Sequence, residues 1–126
     1  MGFTYAFFSL KYCSKIEIIG STKTPFAVKG GGHATNQGFS STVGVQIAMS
    51  RFKDVKLSDD RLTVDVGAGC IWDEVYLALN GTGVNAPGGR VPGVGVAGFT
   101  LGGGMSWDLP ISSSFCYIWL RIYFSV

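Results

Sequence analysis

The chain is poor in charge, histidine, cysteine and proline. Of its 126 residues 14% are charged, with 10 Lys and Arg against 8 Asp and Glu. A net charge of +2 with no basic cluster among aromatics argues against a nucleic-acid surface. His33 is the sole histidine, so a metal site built on paired histidines is excluded. Cys13, Cys70 and Cys116 are far apart, odd in number and without a C-x-x-C pair. They give neither a disulfide framework nor a zinc site, and are expected to be buried or half-buried free thiols. No uninterrupted apolar run approaches the ~18 residues of a membrane span. Met1 to Leu10 is apolar but has no basic leader and no small-residue cleavage site. Ala6 stands where a myristoylation pattern wants Ser or Thr.

What the chain does have is apolar content and glycine. Nearly half the residues are apolar, which suits one domain with a modest core and excludes a disordered chain. Of 19 glycines, 17 fall between Gly30 and Gly104. The densest stretch is Lys29-Gly30-Gly31-Gly32-His33-Ala34-Thr35-Asn36, with Gly38 just beyond. Three successive glycines can take φ > 0 and let the backbone pass close to a ligand. Their bare N–H groups can form an anion-binding concavity. The run follows Pro25-Phe26-Ala27-Val28, an apolar stretch expected to be a buried strand. His33 sits directly after the glycines, where a ligand role outweighs that of a loop-capping histidine. A neutral imidazole can act as a nucleophile.

The remaining elements follow from periodicity. Tyr12 to Ile19 fits a short helix ending near Gly20, with Ser14 as N-cap, or a strand. Gln37 to Thr42 is loop. Val43, Val45, Ile47 and Met49 alternate with Gly44, Gln46 and Ala48, as in a half-buried strand. Arg51 to Leu57 turns into another strand, and Leu62 to Val66 alternates cleanly up to Gly67-Ala68-Gly69. Ile71, Val75 and Leu79 recur at four-residue spacing, as do Trp72 and Tyr76, which predicts a helix over 71–79. Asp73 and Glu74 suit its positive end, Asn80-Gly81 stops it, and its aromatics are expected in the core.

Gly83 to Gly104 is the second glycine-rich region. Gly93-Val94-Gly95-Val96-Ala97-Gly98 spells G-x-G-x-x-G. As a dinucleotide fingerprint it fails on context, because no strand leads into it and no acidic residue stands about 20 positions on. Its glycines can still line phosphates. Leu101 then leads into Gly102-Gly103-Gly104, which repeats the triple glycine of the first loop. Beyond Leu109 the character changes: Ile111 to Val126 holds five aromatics and one arginine, with no glycine or acidic residue. A core strand and an accident of gene prediction fit that tail equally.

Three segments together carry a resemblance. They are Thr24 to His33, Leu62 to Gly69, and Val94 to Gly104. In order and spacing they resemble the flavin-binding half of the FAD-linked oxidases, the family of vanillyl-alcohol oxidase and p-cresol methylhydroxylase. The berberine-bridge-enzyme-like branch, in its fungal members, is the nearest match. The resemblance implies an α+β fold of two small α/β subdomains clasping FAD, with residues 14–107 as a truncated FAD-binding domain and 108–126 as an atypical tail. It implies that Gly30, Gly31, Gly32, His33, Ala34, Thr35, Asn36 and Gly38 wrap the FAD pyrophosphate. Gly93, Val94, Gly95, Gly98, Leu101, Gly102, Gly103 and Gly104 would line the cofactor from the other side. It further implies that His33 holds the flavin covalently through its 8α-methyl, and that FAD and a small-molecule substrate are the partners, with neither nucleic acid nor a membrane span involved. Relatives are often secreted. Two departures stand out. Many relatives place a second flavin-linking cysteine before the proline of the second loop, where this chain has Val91 before Pro92. The family also continues into a substrate domain carrying the catalytic base, so the chain resembles a fragment without turnover of its own. The implied function is the FAD-binding part of an oxidase acting with O2 on an alcohol, sugar or secondary metabolite. A nucleotide-phosphate module without redox work and a non-functional truncated product are the alternatives.

Overall fold

The computed structural model describes residues 14–104, 116–117 and 119–123. Sequence expectations for residues 1–13 and 105–115 lie outside them. The order is a helix α1 (residues 14–21), β1 (Phe26–Lys29), β2 (Val45–Ala48), β3 (Val55–Leu57) and β4 (Thr63–Gly67). There follow α2 (Trp72–Leu79), β5 (Val84–Asn85), α3 (Val96–Leu101), β6 (Cys116–Tyr117) and β7 (Trp119–Tyr123). Helix and strand mix as in an α+β fold. Ser14 is itself helical rather than outside the first turn.

Strands β1 and β2 pair in parallel, from Phe26 opposite Val45 to Lys29 opposite Ala48. A parallel pair cannot be closed by a hairpin, because the second strand must start again at the first one's beginning. Residues 30–44 make that return journey, so the triple-glycine loop is the crossover itself. Met49 N donates to Lys29 O at 2.9 Å and Val45 N to Pro25 O at 2.9 Å. These bonds fix both ends of the pair. The strand expected at residues 25–28 is present but not buried. Phe26 is 53% and Val28 56% exposed, because one face of this two-stranded sheet has no layer packed on it among the described residues.

The core lies around β4 and α2. Val64 and Val66, on one side of β4, are fully buried with Trp72, Val75 and Leu79 of α2, and with Cys70, Ala86 and Val96. Strand β4 pairs antiparallel with β3 and parallel with β7. Trp72 stacks on Tyr76 at 5.9 Å between ring centroids and meets Phe99 edge-on at 5.4 Å. Gly88 and Gly89 lie flat against its indole, where any side chain would collide with the ring. The helix expected over 71–79 is found one residue later, with Ile71 as N-cap. Ile71 has no side-chain acceptor to offer, so Glu74 closes the end from within: its Oε2 accepts from Ile71 N at 2.9 Å. Gly81 follows the helix at φ +79°. Cys70 is a buried free thiol as expected, and its Sγ points toward the carbonyls of Phe52 and Asp54.

The tail contributes backbone pairing. Residues Trp119–Tyr123 run beside Thr63–Gly67, and Cys116–Tyr117 beside Val84–Asn85. Of the two readings of the tail, strand pairing is present in these described residues, and nothing in it bears on the second.

Candidate functional site

The two glycine-rich regions meet. Gly67-Ala68-Gly69 is pressed onto the 49–52 turn after β2, with Gly69 N donating to Phe52 O at 2.9 Å. The Ala68 carbonyl in turn touches Gly30, at 3.4 Å from where a Gly30 Cβ would lie. The second loop is pinned to the start of α2. Trp72 N donates to Val94 O at 3.0 Å, and Val96 N to Cys70 O at 2.9 Å. These bonds make Ile71 and Gly95 a bridge pair. The backbones of Gly31 and Gly95 then come into direct contact, so close that neither position has room for a methyl group.

Between the loops lies a cleft of about 350 Å³, at the lower end of ligand-site volumes. Glycine dominates its lining: Gly30, Gly31 and Gly32 beside Val28 on one side, Gly95 and Gly98 beside Val94 on the other. His33 and Ala34 line it from the end of the first loop. Gly32 takes φ +75°, which other residues avoid. A Cβ on Gly98 would meet no protein atom within 4 Å, so the helix surface there is left open.

His33 stands where the loops converge. Its Cδ2 is 3.6 Å from the Cβ position of Gly93, itself at φ +83°. Gly93 is held from behind, because its N–H donates to Asp73 Oδ2 at 2.7 Å. Among the described residues neither imidazole nitrogen has a hydrogen-bond partner, so both are available to a ligand. No group of three or more His, Cys, Asp or Glu side chains clusters as a metal site would, among the described residues.

The structure brings together Gly30, Gly31, Gly32, His33, Ala34, Val94, Gly95 and Gly98 of the expected site residues. Gly93 adjoins it through His33. Asn36 and Gly38 instead shape the turns beyond, where Phe39 N donates to Asn36 O and Ser41 N to Gly38 O. Thr35 is not among the cleft-lining residues. Leu101 is 77% exposed, and Gly102, Gly103 and Gly104 close α3: Gly103 turns at φ +72° and Gly104 N donates to Phe99 O at 2.8 Å. Lys29, Phe39, Ser40 and Phe99 also line the cleft and were not among the expected residues. For Lys29 the available signal was its place directly before the triple glycine.

Two ionisable groups near the cleft's supports are shifted. Burial pushes the Cys70 thiol up, and the neighbouring Glu74 charge adds to that. For Glu74, burial acts to raise the carboxyl. The hydrogen bonds from Lys53 and from the Ile71 N–H outweigh it and hold the group below its usual range.

Comparison with known proteins places the chain in a family. Residues 13–121 match the family described as FAD binding domain. The FAD-dependent monooxygenase yanF of Aspergillus niger is 42% identical over 93 residues, 72% of this chain and 16% of that protein. The FAD-dependent monooxygenase macF of Penicillium terrestre is 45% identical over 95 residues, 72% of this chain and 18% of the relative. The bifunctional solanapyrone synthase of Alternaria solani is 34% identical over 92 residues, 72% of this chain and 18% of the synthase. The chain thus spans less than a fifth of the length of these relatives. Among the described residues no helix is long and apolar enough to cross a membrane.

Proposed function

We propose a site for a chain that belongs to the FAD binding domain family and is the FAD-binding part of a flavin-dependent oxidoreductase. The cleft between residues 30–34 and 94–99 receives the pyrophosphate and adjoining rings of FAD, and His33 carries the flavin through its 8α carbon. The observation that supports this most is the glycine-rich lining of the cleft. Gly31 and Gly95 touch, Gly32 turns at positive φ, and Gly98 leaves its helix face open. An extended, phosphate-bridged ligand suits such a glycine-rich lining, where the backbone can come close to it.

When bound, FAD supplies the redox chemistry, taking up a hydride equivalent from a reduced substrate and passing electrons on to O2. The protein's share is to bind and orient. The loop N–H groups would meet the phosphates, Phe39 and Phe99 offer apolar surface in the cleft lining, and His33 stands with nitrogens unpartnered among the described residues. Asp73 keeps Gly93 in place beside the imidazole. Extending to the whole protein, the reading is an oxidase-type enzyme for an alcohol, sugar or secondary metabolite, with the two-subdomain layout of the vanillyl-alcohol oxidase type. In that layout residues 14–107 form the FAD-binding part, and Thr35, Asn36, Gly38 and Leu101 to Gly104 frame the cofactor more distantly.

The experiment is acid precipitation of the FAD-loaded chain. Flavin should remain with the protein pellet, and His33→Ala should release it while still binding FAD reversibly. Free flavin recovered from the unmutated protein removes the covalent assignment. Failure of the unmutated chain to bind FAD at all removes the site.

A further inference from the structure

We propose that Lys29 is the cation that recognises the diphosphate bridge of the dinucleotide, and so makes the cleft selective for FAD over flavins without phosphate. This rests on the FAD site proposed above and adds to it a residue that the glycine pattern does not contain.

Three observations converge on Lys29. The first is the sign of the cleft. Of its lining residues only Lys29 and His33 can carry charge, and no carboxylate lines it. A diphosphate ester brings two negative charges, which loop N–H groups meet only with partial charges. The second is placement. Lys29 is the last residue of β1, and its backbone is fixed by pairing with Ala48 and by the hydrogen bond from Met49 N to its carbonyl. Its side chain folds back over the loop. Cε occupies the space a Gly32 side chain would need, and Nζ lies 3.2 Å from the Gly32 Cβ position. Gly32 turns at φ +75°, which favours glycine, and the flexible lysine tip lies over it. The third is that the ammonium is uncommitted among the described residues. The ion pair found among the described residues joins Lys53 to Glu74, and Lys29 takes no part in it.

A compact ammonium on a flexible stem, with three donors, suits two phosphates presented side by side. Neighbouring N–H groups of the loop then complete the anion's shell. Riboflavin presents no phosphate to this group, so its affinity should be indifferent to Lys29.

The test titrates the full chain carrying His33→Ala, so that flavin binds reversibly and this chain is the unmutated reference for Lys29, with FAD and with riboflavin at low and high ionic strength. The unmutated protein is compared with Lys29→Met and Lys29→Arg. A hydrogen bond to a charged group corresponds to about 10- to 100-fold in affinity. Lys29→Met should therefore weaken FAD by roughly that factor, leave riboflavin unchanged, and flatten the salt dependence of FAD binding. Lys29→Arg should keep most of the FAD affinity. Inorganic pyrophosphate should inhibit FAD binding to the unmutated protein more strongly than to Lys29→Met. Equal FAD affinity and equal salt dependence in Lys29→Met and the unmutated chain would overturn the proposal and leave the FAD site standing. A parallel loss of FAD and riboflavin that Lys29→Arg does not restore would also overturn it, since that marks a packing role. An unmutated chain that binds no FAD would remove both.

Discussion

Gly31 and Gly95 meet backbone to backbone. A methyl group on Gly31 would lie 2.6 Å from Gly95 Cα, and one on Gly95 would lie 2.5 Å from Gly31 N. Neither obstacle is a side chain that can swing away, so an added carbon must push the loops apart. Gly31→Ala and Gly95→Ala are each expected to lower stability by about 1–3 kcal/mol, the usual cost of overpacking, and to weaken FAD binding. Once the first substitution has separated the loops, the second meets less resistance. The double variant should therefore lose less than the sum of the singles. Urea unfolding of all four proteins measures this, and strict additivity would mean the loops do not share the contact.

Gly98 should behave in the opposite way. It sits inside α3 with nothing near its Cβ position. Glycine within a helix costs roughly 0.5–1 kcal/mol relative to alanine, so Gly98→Ala should raise the melting temperature of the flavin-free protein. The same methyl group stands on the wall of the cleft and should reduce FAD affinity. Stability rising while FAD binding is unaffected would place the cofactor away from α3.

Glu74 makes stability depend on acid. Its folded pKa is depressed, so its contribution is present above the usual carboxylate pKa of 4.5. It is lost as pH falls below that value through the folded pKa. The pair with Lys53 is well exposed, at 47% and 36% of the side chains, and screening keeps its share below about 1 kcal/mol. Glu74→Gln should destabilise slightly at neutral pH, and the difference should close at an acid pH below the depressed folded pKa. Urea midpoints at both pH values give the comparison. A gap that widens in acid would contradict the assignment.

Cys70 should be an inert thiol. It is fully buried and its pKa is raised by burial and then by Glu74. The thiolate needed for reaction is therefore scarce at neutral pH. Thiol reagents should modify Cys70 only on unfolding, and digestion of FAD-loaded protein should yield one flavin-bearing peptide, that of His33. A flavin adduct at Cys70 would contradict both its burial and the placement of the second loop.

How much of this was legible depends on the range of the cause. Strand β4 and helix α2 follow from local periodicity, since Val64 and Val66 share one side of a strand and Val75 and Leu79 one side of a helix. The strand character of residues 26–29 is local too, but its burial is not. Which face is covered depends on what packs against it, and Phe26 and Val28 stay exposed. The letters Gly-Gly-Gly do not distinguish a ligand loop from a helix stop. Gly30 to Gly32 line the cleft, whereas Gly103 and Gly104 close α3. Asp73 reads as a charge suited to a helix end, and only the folded chain shows its carboxylate holding Gly93. The contact of Gly31 with Gly95 had no local signal at all.

The parallel pairing of β1 with β2 ties two fates together. A designer wishing to trim this protein could shorten a hairpin and keep its strands. Here the path from Lys29 back to Val45 is the same stretch that carries Gly30 to Ala34. Excising the glycine loop would leave too little chain to regain the start of β2. A lineage that no longer needed flavin would be free to change His33 and Ala34, yet obliged to keep the loop's length and the glycine that meets Gly95. Substitution, rather than deletion, is then the mark that loss of the cofactor would leave on descendants of this chain.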